Sequence, residues 1–305
     1  MTSRADARWY THGWNRDLSW KLILGIVPRV PRALRFPLHL LITTICFLAM
    51  GNERRAAVRN LRRVTGRGAT RSLILAYRLF YNFSRFMVAY TDLPPFGDGN
   101  IDRRLVNGPQ ALAVLDGALS GGRGLIVLGM HLGQWELALI SLARAGHPVT
   151  MVMRREEEEA SRFAREARRT AGINVVYAGE SPFMFVELLS VLRRNGIVAM
   201  QGDRSYGGRS LDVTMCGAPL RIPAGPWELA AVSGAPILPG VLVFEGGRKL
   251  RLVWGRRIAV AGRGGGGASD PSLLAAAMED LISRYPQQWF NFFDLWQGAG
   301  ERPRA

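Results

Sequence analysis

Leu125–Ile140 reads LIVLGMHLGQWELALI. A run of apolar residues closes on Gly129, a histidine follows two positions later, and apolar residues then return at helical spacing. A short apolar run bounded by glycine reads as a buried strand, and QWELALISLARAG reads as a helix ending at a glycine. The unit is strand, turn, helix, with His131 at the turn.

The same grammar repeats downstream. PVTMVM is a second strand, REEEEASRFAREARRTAG a charged helix, INVVYAG a strand, PFMFVELLSVLRRNG a helix and IVAMQGD a strand. That βαβαβαβ order predicts an α/β fold with a mainly parallel central sheet flanked by helices. PAGPWELAAVSG adds a helix, and PILPGVLVFE and RKLRLVWG add two strands. AGRGGGGASD reads as a flexible loop, and SLLAAAMEDLISRYPQQWFNFFDLW as a helix with an aromatic tail. The acidic run at 156–159 suits a solvated helix face, and no internal repeat is present.

Upstream, residues 52–93 carry apolar groups at three- and four-residue spacing with arginines between them, the pattern of helices. Pro94, Pro95, Gly97 and Gly99 then break the chain. We therefore expect an N-terminal helical, membrane-associating region over 1–95 and an α/β domain over 96–305, within one continuous fold. Two apolar patches, Trp20–Val30 and Leu38–Met50, are shorter than the ~20 residues of a spanning helix, and Pro28, Pro31 and Pro37 interrupt them. Lys21, Arg29, Arg32, Arg35, Arg54 and Arg55 flank them. Short apolar segments between arginines suit a helix lying in the headgroup region of a membrane. They equally suit a helical hairpin packed on the protein's own core, and length does not separate the two.

The chain has 305 residues, with 40 Lys+Arg against 24 Asp+Glu, a net charge of +16. Nearly all of the positive charge is arginine. Such a surplus favours an anionic partner. No helix-turn-helix, zinc-finger or RNA-stacking signature accompanies it, so no nucleic acid is expected. A non-catalytic basic protein that binds membrane or nucleic acid would rest on charge alone. Cys46 and Cys216 lie far apart without metal-type spacing, which fits a reducing compartment. The N-terminal MTSRADARWYTHGWNRD has no signal-peptide pattern.

His131 precedes Glu136 by five positions. Within a regular helix the two would point about 140° apart. They converge only if the histidine lies at or before the helix start, the position that the strand–turn–helix order supplies. A carboxylate bonded to one imidazole nitrogen fixes the tautomer and raises the basicity of the other. The spacing alone is weak: four histidines among 24 acids give about 0.3 such pairs by chance, and His12 with Asp17 repeats it in a polar segment. A metal-dependent hydrolase would need further His, Asp or Glu ligands near His131, and the strand ends do not supply them, so no metal is expected.

Further blocks carry a resemblance. HLGQWE resembles the H-x4-D/E motif of the lysophospholipid acyltransferase superfamily, in its bacterial lipid A late acyltransferase (lauroyl/myristoyl transferase) branch. RRAAVRNLRRV and YRLFYNFSRFMVAY, with Asn60-Leu61, are similar to that branch's membrane-associated helices. REARRTAGINVVY matches its second block, with Arg168 four residues before Gly172. NGIVAMQGDRS resembles the block that usually ends in an acidic pair, here Gly202-Asp203-Arg204. GAPILPGVLVF, with Pro236 and Pro239, resembles the proline-bearing block, and PQQWFNFFDLW the Pro-x-Gln-Trp signature. The Gly-Asp-Arg block and the Asn-Phe-Phe-Asp-Leu-Trp ending depart from the lipid A pattern and point to a side branch of specialised lipid pathways.

The resemblance implies transfer of a fatty acyl group from a thioester, on acyl carrier protein or coenzyme A, to a hydroxyl or amine of a lipid or glycolipid acceptor. No cofactor beyond that co-substrate is expected. It implies His131 as general base oriented by Glu136, Arg168 as first donor to the oxyanion and backbone N–H groups near Gly202 as second; Arg168 equally suits a surface arginine on a very arginine-rich helix. Asp203 and Arg204 would bind acceptor head group or acyl donor, or pair with each other. Gly202, Gly133 and Trp135 complete the expected substrate contacts. The site of action would be the cytoplasmic face of the bacterial inner membrane, where the basic surface meets an anionic leaflet and an acidic carrier protein.

Overall fold

The computed structural model describes residues 29–89, 101–154, 160–205, 208–261 and 270–296. The patch before residue 29, the His12–Asp17 spacing, the Pro/Gly break after 93, the acidic run at 156–159 and the glycine loop at 262–268 lie outside those residues. The chain forms two compact units.

The first unit gathers residues 29–89, 160–167 and 286–295 of those described. Three helices lead it: α1 (Arg32–Ala49), α2 (Gly51–Thr65) and α3 (Ala69–Ala89). α1 runs through Pro37 rather than starting after it. α2 ends at Gly66, whose left-handed conformation closes the last turn with a bond from its N–H to the Arg62 carbonyl. Ala57, Leu61, Ala76 and Leu79 are buried between the helices, and Phe47 meets Phe80 edge-on at 5.3 Å. The aromatic tail docks here too. Trp289, Phe290 and Phe292 are buried, with Phe80 against Phe292 at 5.0 Å and Phe83 against Phe290 at 5.3 Å. Asn60, buried on α2, donates its amide to the Phe293 carbonyl at 2.7 Å, which satisfies both polar groups away from water.

α1 also leaves an apolar stripe uncovered. Leu34, Leu41, Ile45 and Leu48, spaced by seven, four and three, are each more than half exposed. No single helix among the described residues is long and apolar enough to cross a membrane, and Phe36–Ala49 meets Gly51–Thr65 at 93°.

The second unit holds the sheet. In chain order it contains α4 (Gly108–Leu119), β1 (Leu125–Gly129), α5 (Trp135–Arg144), β2 (Val149–Met153), the end of α6 (Ala160–Thr170), β3 (Asn174–Tyr177), α7 (Met184–Arg193) and β4 (Ile197–Gln201). β5 (Ser210–Met215), β6 (Ala218–Pro223), α8 (Gly225–Ser233), β7 (Ile237–Phe244), β8 (Leu250–Trp254) and α9 (Ser272–Arg284) follow. The six-stranded sheet has the order β3-β2-β4-β1-β7-β8 and is parallel except for β8. Leu125, Ile126 and Leu128 are fully buried. Each such side chain contributes about 1.5–3 kcal/mol relative to exposure. α5 packs on one face against β2 and β7, whereas α8 and α9 contact β1 and β7.

Two elements escaped the sequence reading. GPQALAVLDGAL forms α4, opened by a proline in its first turn. SLDVTMCGAPLRIP forms the antiparallel hairpin β5–β6, whose Cys216-Gly217 turn has φ of 51° and 70°. Positive φ at both turn residues matches the twist of a two-residue hairpin.

Candidate active site

Parallel register makes the site. Gly129 pairs with Gln201 at the carboxyl ends of β1 and β4. Two residues past each partner stand His131 and Asp203, so the two side chains meet where open α/β sheets hold their ligands. His131 Nδ1 donates to Asp203 Oδ1 at 2.8 Å. The His131 backbone N–H donates to Asp203 Oδ2 at 3.1 Å. One carboxylate therefore grips both the ring and the main chain of the histidine. Asp203 has no exposed surface, and the His131 side chain keeps 12%. With Asp203 accepting at Nδ1, the hydrogen sits there and Nε2 carries the lone pair.

Gly133 holds the turn in place. Its φ is +66°, and a Cβ there would collide with the Leu242 carbonyl oxygen on β7. The next residue donates its N–H to that same oxygen: Gln134 N–H to Leu242 at 2.6 Å. Only glycine allows this strap to lie so close to the neighbouring strand. Gly133, expected among substrate contacts, thus approaches backbone. The Gln134 amide is buried, and neither its Nε2 nor its Oε1 has a hydrogen-bond partner among the described residues.

The acids differ from the expected arrangement. Glu136, expected to orient His131, instead accepts from Arg168 Nη2 at 2.8 Å. Both are almost fully buried. The helix geometry explains the swap: Glu136 sits in the first turn of α5, beyond the strap that turns His131 toward β4. Arg168, expected to face an oxyanion, also donates to Met153 Sδ at 2.9 Å. The Gly202 N–H, the second expected oxyanion donor, donates to the Gly129 carbonyl at 3.0 Å. Asp203 and Arg204 are both buried, with Asp203 committed to the histidine.

Burial is the main influence on the imidazole and lowers its pKa below the ordinary 6.5; the Arg204 cation lowers it further. The Asp203 charge and hydrogen bond oppose them without reversing the shift. Near neutral pH the ring is therefore uncharged and able to accept a proton. Among the described residues, no group of three or more His, Cys, Asp or Glu stands together as a metal cluster would require.

Trp135 lies edge-on to the His131 ring, with centroids 5.3 Å apart. It also lines an apolar cleft between α5 and the sheet, together with Leu139, Leu142, Val127, Met151 and Trp254. Gly129 and Gln201, the strand residues from which the His131 and Asp203 segments depart, are in the same lining. The arrangement combines an oriented neutral base, a nearby cation and an apolar cleft.

The sequence is similar to "phosphatidylinositol mannoside acyltransferase" of Mycobacterium tuberculosis, 28% identical over 221 residues that cover 70% of this chain and 68% of that protein. It is 30% identical over 187 residues to the Mycolicibacterium smegmatis protein of the same name, covering 59% of each chain. Residues 17–298 match the family described as bacterial lipid A biosynthesis acyltransferase. With nearly the whole chain matched, the protein is an acyltransferase, and it belongs to that family.

Proposed function

We propose that the protein moves a fatty acyl group from a thioester, on acyl carrier protein or coenzyme A, to a hydroxyl or amine of a lipid acceptor at a membrane surface. The observation that carries this reading is the His131–Asp203 pair, whose histidine ring meets Trp135, a residue of the apolar cleft lining.

His131 Nε2 takes the proton from the acceptor as its oxygen or nitrogen attacks the thioester carbonyl carbon. Asp203 holds the ring in the required tautomer and stabilises the imidazolium that forms. The tetrahedral oxyanion develops beside Arg204, the cation whose charge reaches the imidazole. When the C–S bond breaks, the imidazolium returns its proton to the departing thiolate. The products are an ester or amide and a free thiol, with no acyl-enzyme. Juxtaposition of the two substrates supplies much of the acceleration. The Arg168–Glu136 pair acts as a buttress that fixes the first turn of α5 behind the histidine.

The acyl chain lies in the cleft beside Trp135, and the acceptor head group approaches past Arg204. A glycosylated phospholipid is the acceptor class suggested by the names of the mycobacterial relatives. The exposed stripe Leu34, Leu41, Ile45 and Leu48 seats the first unit in the headgroup region, with arginines meeting anionic lipid. We place this at the cytoplasmic face of the inner membrane, where acyl thioesters are available.

The test is incubation of the purified protein with palmitoyl-coenzyme A or palmitoyl-acyl carrier protein and a panel of acceptors. Phosphatidylinositol mannoside belongs in the panel, with products read by mass spectrometry. An acylated lipid with matching thiol release supports the proposal. Vesicle binding without turnover on any donor would replace it with a non-catalytic membrane protein.

A further inference from the structure

The cleft beside Trp135 reaches the edge strand of the sheet, where Leu252 and Trp254 line it. β8 is the edge strand of the sheet, two strands from β1, which places it about 9.5 Å across from the strand that presents His131. In the antiparallel β7–β8 register Gly240 stands opposite Trp254. Gly240 has no side chain, and the indole occupies the space where one would be: a Cβ on Gly240 would collide with ring atoms Cζ3 and Cε3. The ring is also anchored at its far edge. Trp254 Nε1 donates to the carbonyl of Ala111 on α4 at 2.8 Å, and Ala111 is buried. Gly240 and Trp254 both belong to the cleft lining. A large, flat side chain thus lies against bare backbone and is pinned by a hydrogen bond where the cleft reaches the sheet edge. Indole groups are costly to leave half-packed without a reason, and this one is held in a single orientation by two independent contacts.

We infer that Trp254, seated on Gly240, is the residue that sets how long an acyl chain the cleft accepts. The inference rests on the acyl-transfer reading of the cleft and adds to it the specificity determinant. An acyl chain that starts beside Trp135 and runs toward β8 meets the indole face. Each methylene accommodated before that wall gains about fourfold in affinity, and methylenes beyond it gain nothing.

The two residues of the pair predict opposite changes. Trp254→Ala removes the wall, so the chain length at which affinity stops rising moves up by two carbons or more. Gly240→Ala forces the indole off the sheet and into the cleft, so that length moves down. The experiment is displacement of cis-parinaric acid by saturated fatty acids from octanoate to eicosanoate, on the full chain, with melting curves recorded for each variant. Trp254→Phe keeps a ring over Gly240 but loses the bond to Ala111. It is the variant to read if Trp254→Ala does not fold, with a smaller shift in the same direction. Coincident length profiles for wild type and a folded Trp254 variant would overturn the inference, as would absence of fatty-acid binding by the wild type. A parallel turnover assay separates the two levels. Fatty-acid binding with the expected length shift but no acyl transfer from any donor refutes the acyl-transfer reading and leaves the wall in place.

Discussion

Substituting Asp203 and Glu136 gives different signatures, and Asp203→Asn is the informative member. Asparagine keeps an oxygen for the His131 backbone N–H, so the fold of the turn survives. It removes the charge behind the 2.8 Å contact with Nδ1. With that oxygen kept by the main chain, the amide NH2 faces Nδ1 and puts the ring hydrogen on Nε2, the wrong tautomer for a base, so kcat falls by about ten-thousand-fold. The pH profile supplies the second readout. Activity needs neutral His131, so kcat/KM rises with pH through the pKa of that group, which lies below 6.5 in the wild type. The Asp203 charge and hydrogen bond both raise that pKa. Their loss moves the acid limb to lower pH while the plateau falls. Glu136→Gln acts on a different partner. It removes the carboxylate charge from the buried contact with Arg168, costs about 3–5 kcal/mol of stability, and leaves the acid limb where it was. The assay is thiol release from a palmitoyl thioester across pH 5–9, alongside thermal melts. A limb that moves with Glu136→Gln and stays put with Asp203→Asn would refute the assignment of Asp203 as the orienting acid.

Further outcomes follow from the same geometry. Arg204→Gln removes a charge that lowers the His131 pKa, so the acid limb shifts to higher pH, opposite to Asp203→Asn, and kcat falls through loss of the cation beside the oxyanion. Gly133→Ala places a Cβ against the Leu242 carbonyl at a φ of +66°. It should lower the melting temperature by several degrees and abolish turnover, with circular dichroism reporting the first effect. Leu41→Glu with Ile45→Glu puts two charges on the exposed stripe of α1. It should reduce co-sedimentation with anionic vesicles at least tenfold while leaving the melt unchanged, and unaltered vesicle binding would rule out that stripe as the lipid contact.

The strands and most helices of the second unit were legible because their signals are local. An apolar run closing on glycine, as in LIVLG, and a helical run closing on glycine, as in the segment ending at Gly234, need no distant partner to be read. The hairpin β5–β6 was legible in principle. Its alternating apolar residues flank a two-residue turn, but Cys216 occupies a left-handed position that Asn or Gly usually marks. The Asp203 contact was not legible. It depends on the Gly129–Gln201 register between strands more than 70 positions apart, and no local pattern encodes which strands become neighbours. Glu136 and Arg168 were each singled out from sequence, yet their pairing became visible only once the first turn of α5 and the end of α6 were brought together.

The central claim is that the neutral imidazole of His131 removes the acceptor's proton. It is tested most directly by single-turnover acyl transfer with His131→Ala beside the wild type, at equal acyl-donor occupancy. The account predicts that the variant binds the donor and melts as the wild type does, while transfer falls by about a hundred- to ten-thousand-fold, the usual contribution of a positioned general base. Transfer by His131→Ala at the wild-type rate would contradict it.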